Sequence, residues 1–99
     1  RERLRDDEAN RAVFLAKVPS SMSDATILQA LNRRLSNGMH AVRVSLTPGR
    51  TGSFTYGFAV LNSQPTKNFV LARIARRNRL KIGRRKILIH DFRGGGERG

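Results

Sequence analysis

Hydrophobic and polar positions recur along the chain with spacings that predict four strands and two helices. Short runs rich in strand-forming residues predict strands at 12–18, 42–47, 54–62 and 87–90. Apolar residues at helical spacing predict a first helix capped by Ser23 and a second that begins at Thr66. Pro19 stops the first strand, and Gly38 follows the first helix, where a positive φ is often required. The predicted order is therefore β-α-β-β-α-β.

This order predicts an α+β domain of ferredoxin-like topology, with a four-stranded antiparallel sheet and two helices on one face. The apolar face of the first helix consists of Ile27, Leu28, Leu31 and Leu35. In the second strand we expect Val42, Val44 and Leu46 to face the core. The chain divides into a charged N-terminal segment at 1–10, which we expect to be a solvated arm or a frayed helix, a domain at 11–92 and a Gly/Arg-rich tail at 93–99. Because the first residue is not Met, we expect an excised domain.

Strand parity places several aromatic side chains on the face away from the helices. The third strand separates into Thr55, Gly57, Ala59 and Leu61 on one face and Phe54, Tyr56, Phe58 and Val60 on the other. In the first strand Phe14 points to the side opposite Val13. If the two strands are neighbours, Phe14 lies beside Tyr56 and Phe58 on an open surface. The alternative is that these rings form the core, which would leave a poor exposed face of Gly57 and Ala59.

The charge of the chain favours polyanionic partners. There are 20 Lys and Arg against 7 Asp and Glu, a formal net charge of +13. Four of the acids lie in the first eight residues, and from Arg11 to Phe92 fifteen bases accompany only Asp24 and Asp91. Such a field attracts nucleic acids by releasing their counterions. A basic surface that merely keeps the protein soluble is the alternative.

Several function classes are not supported by the sequence. The 99 residues contain no Cys, which excludes disulfides and thiolate sites, and the two His are far apart, so we expect no metal and no cofactor. His40 is expected in a solvated loop. No array of base, nucleophile and anion pocket is apparent, so we do not expect an enzyme. No segment reaches transmembrane length or combines a long apolar face with a basic one.

The two strand motifs resemble those of the RNA-recognition-motif family, and the resemblance extends over roughly residues 10–92. The shorter RNP motif matches residues 13–18, with Phe14 at the base-stacking position and Lys17 where a polar residue is usual. The longer RNP motif matches 54–61, whose Tyr-Gly-Phe centre gives Tyr56 and Phe58 the stacking roles. Phe54 replaces the usual base, so the salt bridge to the RNA backbone loses that residue. Phe54 is expected either to add a stacking surface or to pack against a flanking segment. Gly83 and Arg84 match the Gly-Arg that precedes the last strand in the family.

The resemblance implies binding of single-stranded RNA, of the mRNA or pre-mRNA class, in RNA processing or editing. The RNA-binding residues that we predict are Phe14, Tyr56, Phe58, Phe54, Lys17, Arg43, Arg50, Lys86 and His90. Family members with Gly/Arg tails resemble factors of splicing, mRNA turnover and kinetoplastid mitochondrial RNA editing. We therefore expect a nuclear or mitochondrial location rather than secretion, and a monomeric domain whose helices are available to protein partners.

A second basic region follows the second helix, with eight bases between residues 73 and 86. Auxiliary phosphate contacts are predicted for Arg76, Arg77, Arg79, Arg84 and Arg85. The alternatives are a solvated helix end with a basic connector at 81–86, or a nuclear-localisation-like cluster. The Arg-Gly steps at 93–99 resemble an RGG tail that binds RNA loosely, or form a flexible exit.

Two other binding functions are compatible with the same fold. A peptide-binding variant of the RNA-recognition motif carries an acidic first helix, whereas this helix has only Asp24 and ends in Arg33 and Arg34. Binding of single-stranded DNA is the other, because charge alone does not distinguish it from RNA. Competition between RNA and DNA of equal length separates the two.

Overall fold

The computed structural model describes residues 4, 5, 7–48, 52–76 and 80–91. The elements are β1 (Ala12–Pro19), α1 (Asp24–Arg33), β2 (Ala41–Pro48), β3 (Phe54–Leu61), α2 (Gln64–Phe69), β4 (Lys81–Ile82), β5 (Arg85–Lys86) and β6 (Leu88–Asp91). A 3₁₀ turn, Ala9–Arg11, precedes β1, and a π-helical segment, Val70–Ala75, continues α2. The predicted α+β class and the order of its main elements are confirmed.

The main sheet has the strand order β2-β3-β1-β6, and all neighbouring strands are antiparallel. The central strands β1 and β3 bury one face completely, through Val13, Leu15, Ala59 and Leu61. Ile27 and Leu31 of α1 and Val70 of the π-helical segment pack in the same core. Both helices therefore cover one face of the sheet, as the sequence predicts for the ferredoxin-like topology. Among the described residues, no helix is long and apolar enough to span a membrane.

Serine side chains determine where both helices begin. Ser23 Oγ accepts a hydrogen bond from Thr26 N at 3.2 Å, and Ser63 Oγ accepts one from Thr66 N at 3.3 Å. Each cap satisfies an N–H group that the first helical turn leaves without a partner. The second helix consequently begins at Gln64, earlier than predicted. Thr66 itself is buried and donates its hydroxyl to Asn62 Oδ1 at 2.7 Å.

The segment expected to be a basic connector forms a short hairpin instead. Lys81 pairs with Lys86 and Ile82 pairs with Arg85 across the two-residue loop that Gly83 begins with φ of +62°. A glycine at that position permits the tight loop because it adopts positive φ without strain. Ile87 N donates to Leu80 O at 2.9 Å, and both side chains are buried. The hairpin is thus fastened to the core, and β6 begins one residue after the predicted position.

The prediction that Val42 faces the core is wrong. Ala41 pairs with Leu61 and Arg43 pairs with Val60, so the bulge between them leaves Val42 as an extra residue in β2. Ala41 is buried in its place, while the exposed fraction of Val42 is 47%. Beyond the bulge the predicted alternation is restored, because Val44 is buried and Leu46 packs against the core.

Candidate nucleic-acid interface

A row of side chains crosses all four strands on the face away from the helices. The β1–β3 register pairs Phe14 with Phe58, and the β1–β6 register pairs Phe14 with His90. The β2–β3 register continues the row from Phe58 to Ser45. Alternating side chains of paired strands lie on the same face, so these four positions are neighbours.

Three rings on this face form a continuous series, which we call the ring array: His90, Phe14 and Tyr56. The centroid of Phe14 lies 6.2 Å from that of Tyr56 and 6.4 Å from that of His90, with interplanar angles of 35° and 32°. These separations are those of interacting aromatic pairs. His90 is exposed, Phe14 is half-buried, and the exposed fraction of Tyr56 is 45%. The array therefore presents flat apolar surface to solvent.

Phe58 differs from the sequence-based expectation, because a cation lies over it. Arg43 Cζ is 5.2 Å from the centroid of the Phe58 ring, within the range of a cation–π contact. The ring is half-buried. Phe58 is the cross-strand neighbour of Phe14, but Arg43 covers part of its ring. The third ring of the array is therefore His90 and not Phe58.

The N-terminal segment packs onto the sheet at Glu8, which is therefore not part of a solvated arm. Glu8 is only 9% exposed. Its Oε1 accepts from Arg43 Nη2 at 2.7 Å and from Arg5 N at 3.1 Å. Arg11 Nη1 donates to Leu61 O at 2.8 Å. Val60 is fully buried although it belongs to the parity of the exposed rings, so this end of the face is closed.

The environment of Glu8 favours its ionised form. The hydrogen bond from Arg43 lowers the pKa of the Glu8 carboxyl below its ordinary value of 4.5, and burial opposes this effect. The hydrogen bond from the Arg5 backbone and the charges of both arginines lower the pKa further. Arg43, predicted as an RNA contact, therefore has a carboxylate partner within the protein. Sequence reasoning missed this pair because its members are 35 positions apart and no local motif joins them.

Lys17 and Phe54 lie toward the other end of the face. The β1–β3 register shifts between Leu15 and Val18, so Ala16 and Lys17 together oppose Tyr56. Lys17 has φ of 56° and is exposed, whereas strict alternation would turn it toward the core. Phe54, paired with Pro19, is 40% exposed.

The remaining predicted bases fall into two groups. Arg76, Arg84, Arg85 and Lys86 are exposed, the last three in or next to the β4–β5 hairpin. Arg50, Arg77 and Arg79 lie outside the described residues, as does the Gly/Arg-rich tail at 93–99. His40 is exposed before β2, as expected. Within the described ranges, no cluster of three or more His, Asp or Glu side chains has the arrangement of a metal site.

Comparison with known proteins adds no assignment. No family model matches the sequence, and no curated protein is significantly similar to it. The chemistry of the sheet face therefore carries the functional argument.

Proposed function

We propose that this chain is an RNA-recognition motif that binds single-stranded RNA on the open face of its sheet. The observation that carries the proposal is the ring array of His90, Phe14 and Tyr56, which extends over three adjacent strands. Aromatic faces stack on nucleobases whose edges are unpaired, and each contact contributes about 1–3 kcal/mol. A duplex keeps its bases stacked on one another and offers no such surface.

Positive charge opposite Tyr56 and on the β4–β5 hairpin supports the same function. Lys17 opposes Tyr56 at the bulge, and the β4–β5 hairpin carries exposed Lys81, Arg84, Arg85 and Lys86. Lys81 and Lys86 are cross-strand partners, an arrangement of like charges that is unfavourable without a counter-anion. A nucleic-acid backbone supplies that anion. The bases stacked on the array and the phosphates near the hairpin would then belong to one RNA strand.

The stacking role is tested by measuring RNA affinity with fluorescence anisotropy on short labelled homopolymers. Phe14→Ala and Tyr56→Ala should each weaken binding by about fivefold or more, the loss of at least one stacked base. Tyr56→Leu keeps apolar bulk without a ring and should behave like Tyr56→Ala. Val42→Ala removes exposed apolar surface elsewhere and should leave the affinity unchanged. Unaltered affinity in the Phe14→Ala, Tyr56→Ala double variant would refute the stacking role.

The contribution of the hairpin is measured by the salt dependence of binding. Each phosphate contact to a single strand contributes about 0.7 to the slope of log K against log salt. Arg84→Gln with Arg85→Gln should reduce the slope, whereas Arg33→Gln with Arg34→Gln removes the same charge from the helical side. Equal slopes for the two double variants would exclude an auxiliary site on the hairpin.

Competition with DNA of the same length and base composition completes the assignment. The 2′-hydroxyl distinguishes RNA from DNA, so preferential displacement by RNA is expected. Equal competition would change the proposed ligand to single-stranded nucleic acid in general.

A further inference from the structure

The carboxylate of Glu8 is held on the sheet face by a two-point contact with Arg43 of β2. Arg43 Nη2 donates to Oε1 at 2.7 Å, and Arg43 Nε donates to Oε2 at 3.4 Å. The planar guanidinium fork matches a pair of carboxylate oxygens, and it matches two phosphate oxygens equally well. The side chain of Arg43 keeps 25% of its surface exposed, so solvent reaches this anion site.

The position of the anion site relates it to the ring array. The guanidinium lies over Phe58, and Phe58 is the cross-strand partner of Phe14. An anion held by Arg43 is therefore beside a base stacked on Phe14. In single-stranded nucleic acid a phosphate directly adjoins each nucleoside, so phosphate and base can occupy these neighbouring positions together.

The segment that carries Glu8 is short and mixed in charge, with three arginines beside its acids. Glu8 is one of four acids among the first eight residues, in a chain of formal net charge +13. It precedes a 3₁₀ turn of only three residues. Short 3₁₀ turns have poorer hydrogen-bond geometry than α-helices, so this segment can be displaced at lower cost than an element of the sheet.

We infer that the Glu8 carboxylate is an internal substitute for phosphate, and that a phosphate of the bound RNA replaces it at Arg43. This inference rests on the proposed RNA binding and adds to it a specific anion site and a competitor for that site. Binding then requires rupture of the Glu8–Arg43 pair, so the N-terminal segment lowers the affinity of the face for RNA. The Glu8–Arg43 pair also disfavours the binding of anions that carry no base to stack on Phe14.

The decisive experiment compares two variants with the same change in net charge. Glu8→Gln removes the competing carboxylate, whereas Asp7→Asn removes an exposed carboxylate from the adjacent position. RNA affinity should rise by about two- to fivefold more in Glu8→Gln than in Asp7→Asn, the factor expected for loss of a partly exposed ion pair. Equal affinities in the two variants would overturn the inference.

A second comparison shows whether the gain acts through Arg43. Adding Arg43→Gln to Glu8→Gln should abolish the gain and lower the salt slope by about 0.7, the value for one phosphate contact. Glu8→Asp keeps the charge but withdraws the carboxylate by one methylene, and it should give an intermediate affinity. Persistence of the gain without Arg43 would contradict the inference even if Glu8→Gln loosens the N-terminal segment.

The outcome for the anion site is separable from the outcome for RNA stacking. If the Phe14→Ala, Tyr56→Ala variant loses affinity while Glu8→Gln equals Asp7→Asn, the stacking function stands and the anion site fails. If the ring substitutions have no effect but Glu8→Gln still gains through Arg43, the anion site stands and stacking fails. Absence of RNA binding in every variant would reject both.

Discussion

The backbone of Lys17 opposes Tyr56 at a β-bulge, in the left-handed conformation with φ of 56°. The left-handed conformation is usually adopted by glycine, because a Cβ there is crowded by the following carbonyl. Bulges often lie next to binding sites, where they redirect a side chain. Lys17 therefore places a positively charged residue opposite Tyr56, and its strained backbone conformation lowers the stability of the fold.

Replacing Lys17 with Gly should separate stability from binding. We expect the free energy of unfolding to increase by up to about 1 kcal/mol, because the left-handed conformation is no longer strained. RNA affinity should decrease, since the positive charge of a residue opposite Tyr56 is lost. Urea unfolding and RNA anisotropy on the same samples measure the two effects. A variant that is both less stable and unchanged in affinity would contradict this prediction.

Asn37 provides the matched control for Lys17. It also has φ of 56°, but it lies in the turn after α1, away from the sheet face. Asn37→Gly should give a smaller stability gain, because asparagine tolerates the left-handed region better than lysine does. RNA affinity should not change.

Gly57 should tolerate no side chain. A Cβ at this position would lie 1.9 Å from Ser45 O and 2.8 Å from Leu46 Cα, and both are backbone atoms of the adjacent strand. We expect Gly57→Ala to cost about 3 kcal/mol or more, because β2 must move away from β3. Gly52→Ala, with open space around it but φ of +80°, should cost only about 1 kcal/mol. Thermal unfolding of both variants measures the difference.

The stability contribution of Glu8 should depend on pH in a defined direction. Its pKa is lowered in the folded protein, so between the folded and unfolded pKa values the unfolded chain binds more protons and stability rises with pH. The contribution is complete above the ordinary value of 4.5 and is lost as the pH falls through the folded value. Wild type should therefore exceed Glu8→Gln in stability at neutral pH and converge with it in acid. A difference that stays constant over this range would contradict the prediction.

The salt bridge between Lys67 of α2 and Asp91 of β6 should stabilise the packing of the second helix on the edge of the sheet. Lys67 Nζ lies 2.9 Å from Asp91 Oδ1, with the lysine side chain nearly buried and the aspartate half-exposed. Asp91→Asn should destabilise the fold by about 1 kcal/mol, since a nearly buried ammonium loses its carboxylate. The exposed Asp7→Asn should change the free energy of unfolding by less than about 0.5 kcal/mol. Equal effects in urea unfolding would show that the pair contributes nothing.

Structural elements with a local hydrophobic pattern were predicted correctly from the sequence. The predictions failed where contacts between distant parts of the chain determine the structure. Alternation in β1 and β3 correctly separated Val13 and Leu15 from Phe14, because both strands are central and one face of each is covered. Val42 was misassigned because a bulge is set by pairing with β3 and leaves the local pattern unchanged. Gly38 was expected to follow α1 directly, but the helix already ends at Arg33. Gly38 does have positive φ, in a later turn of the loop.

The candidate site was predicted in part for the same reason. Strand parity and motif positions placed Phe14 and Tyr56 on one surface, and His90 was among the predicted RNA-binding residues. The partner of Arg43 was not predictable, because Glu8 approaches it only after β1, β2 and β3 have assembled. Burial of Val60 was likewise not predicted, because strand parity alone places it with the exposed rings.

The bulge at Val42 has a consequence for self-association. β2 is an edge strand, and within the described ranges no other strand pairs with its outer side. A regular edge of this length would offer a template on which a second copy could extend the sheet. The extra residue interrupts the even spacing of amide and carbonyl groups at the start of β2, so a straight incoming strand meets a regular edge only from Arg43 onward. The irregularity that made Val42 difficult to predict thereby shortens the edge on which a second copy could pair.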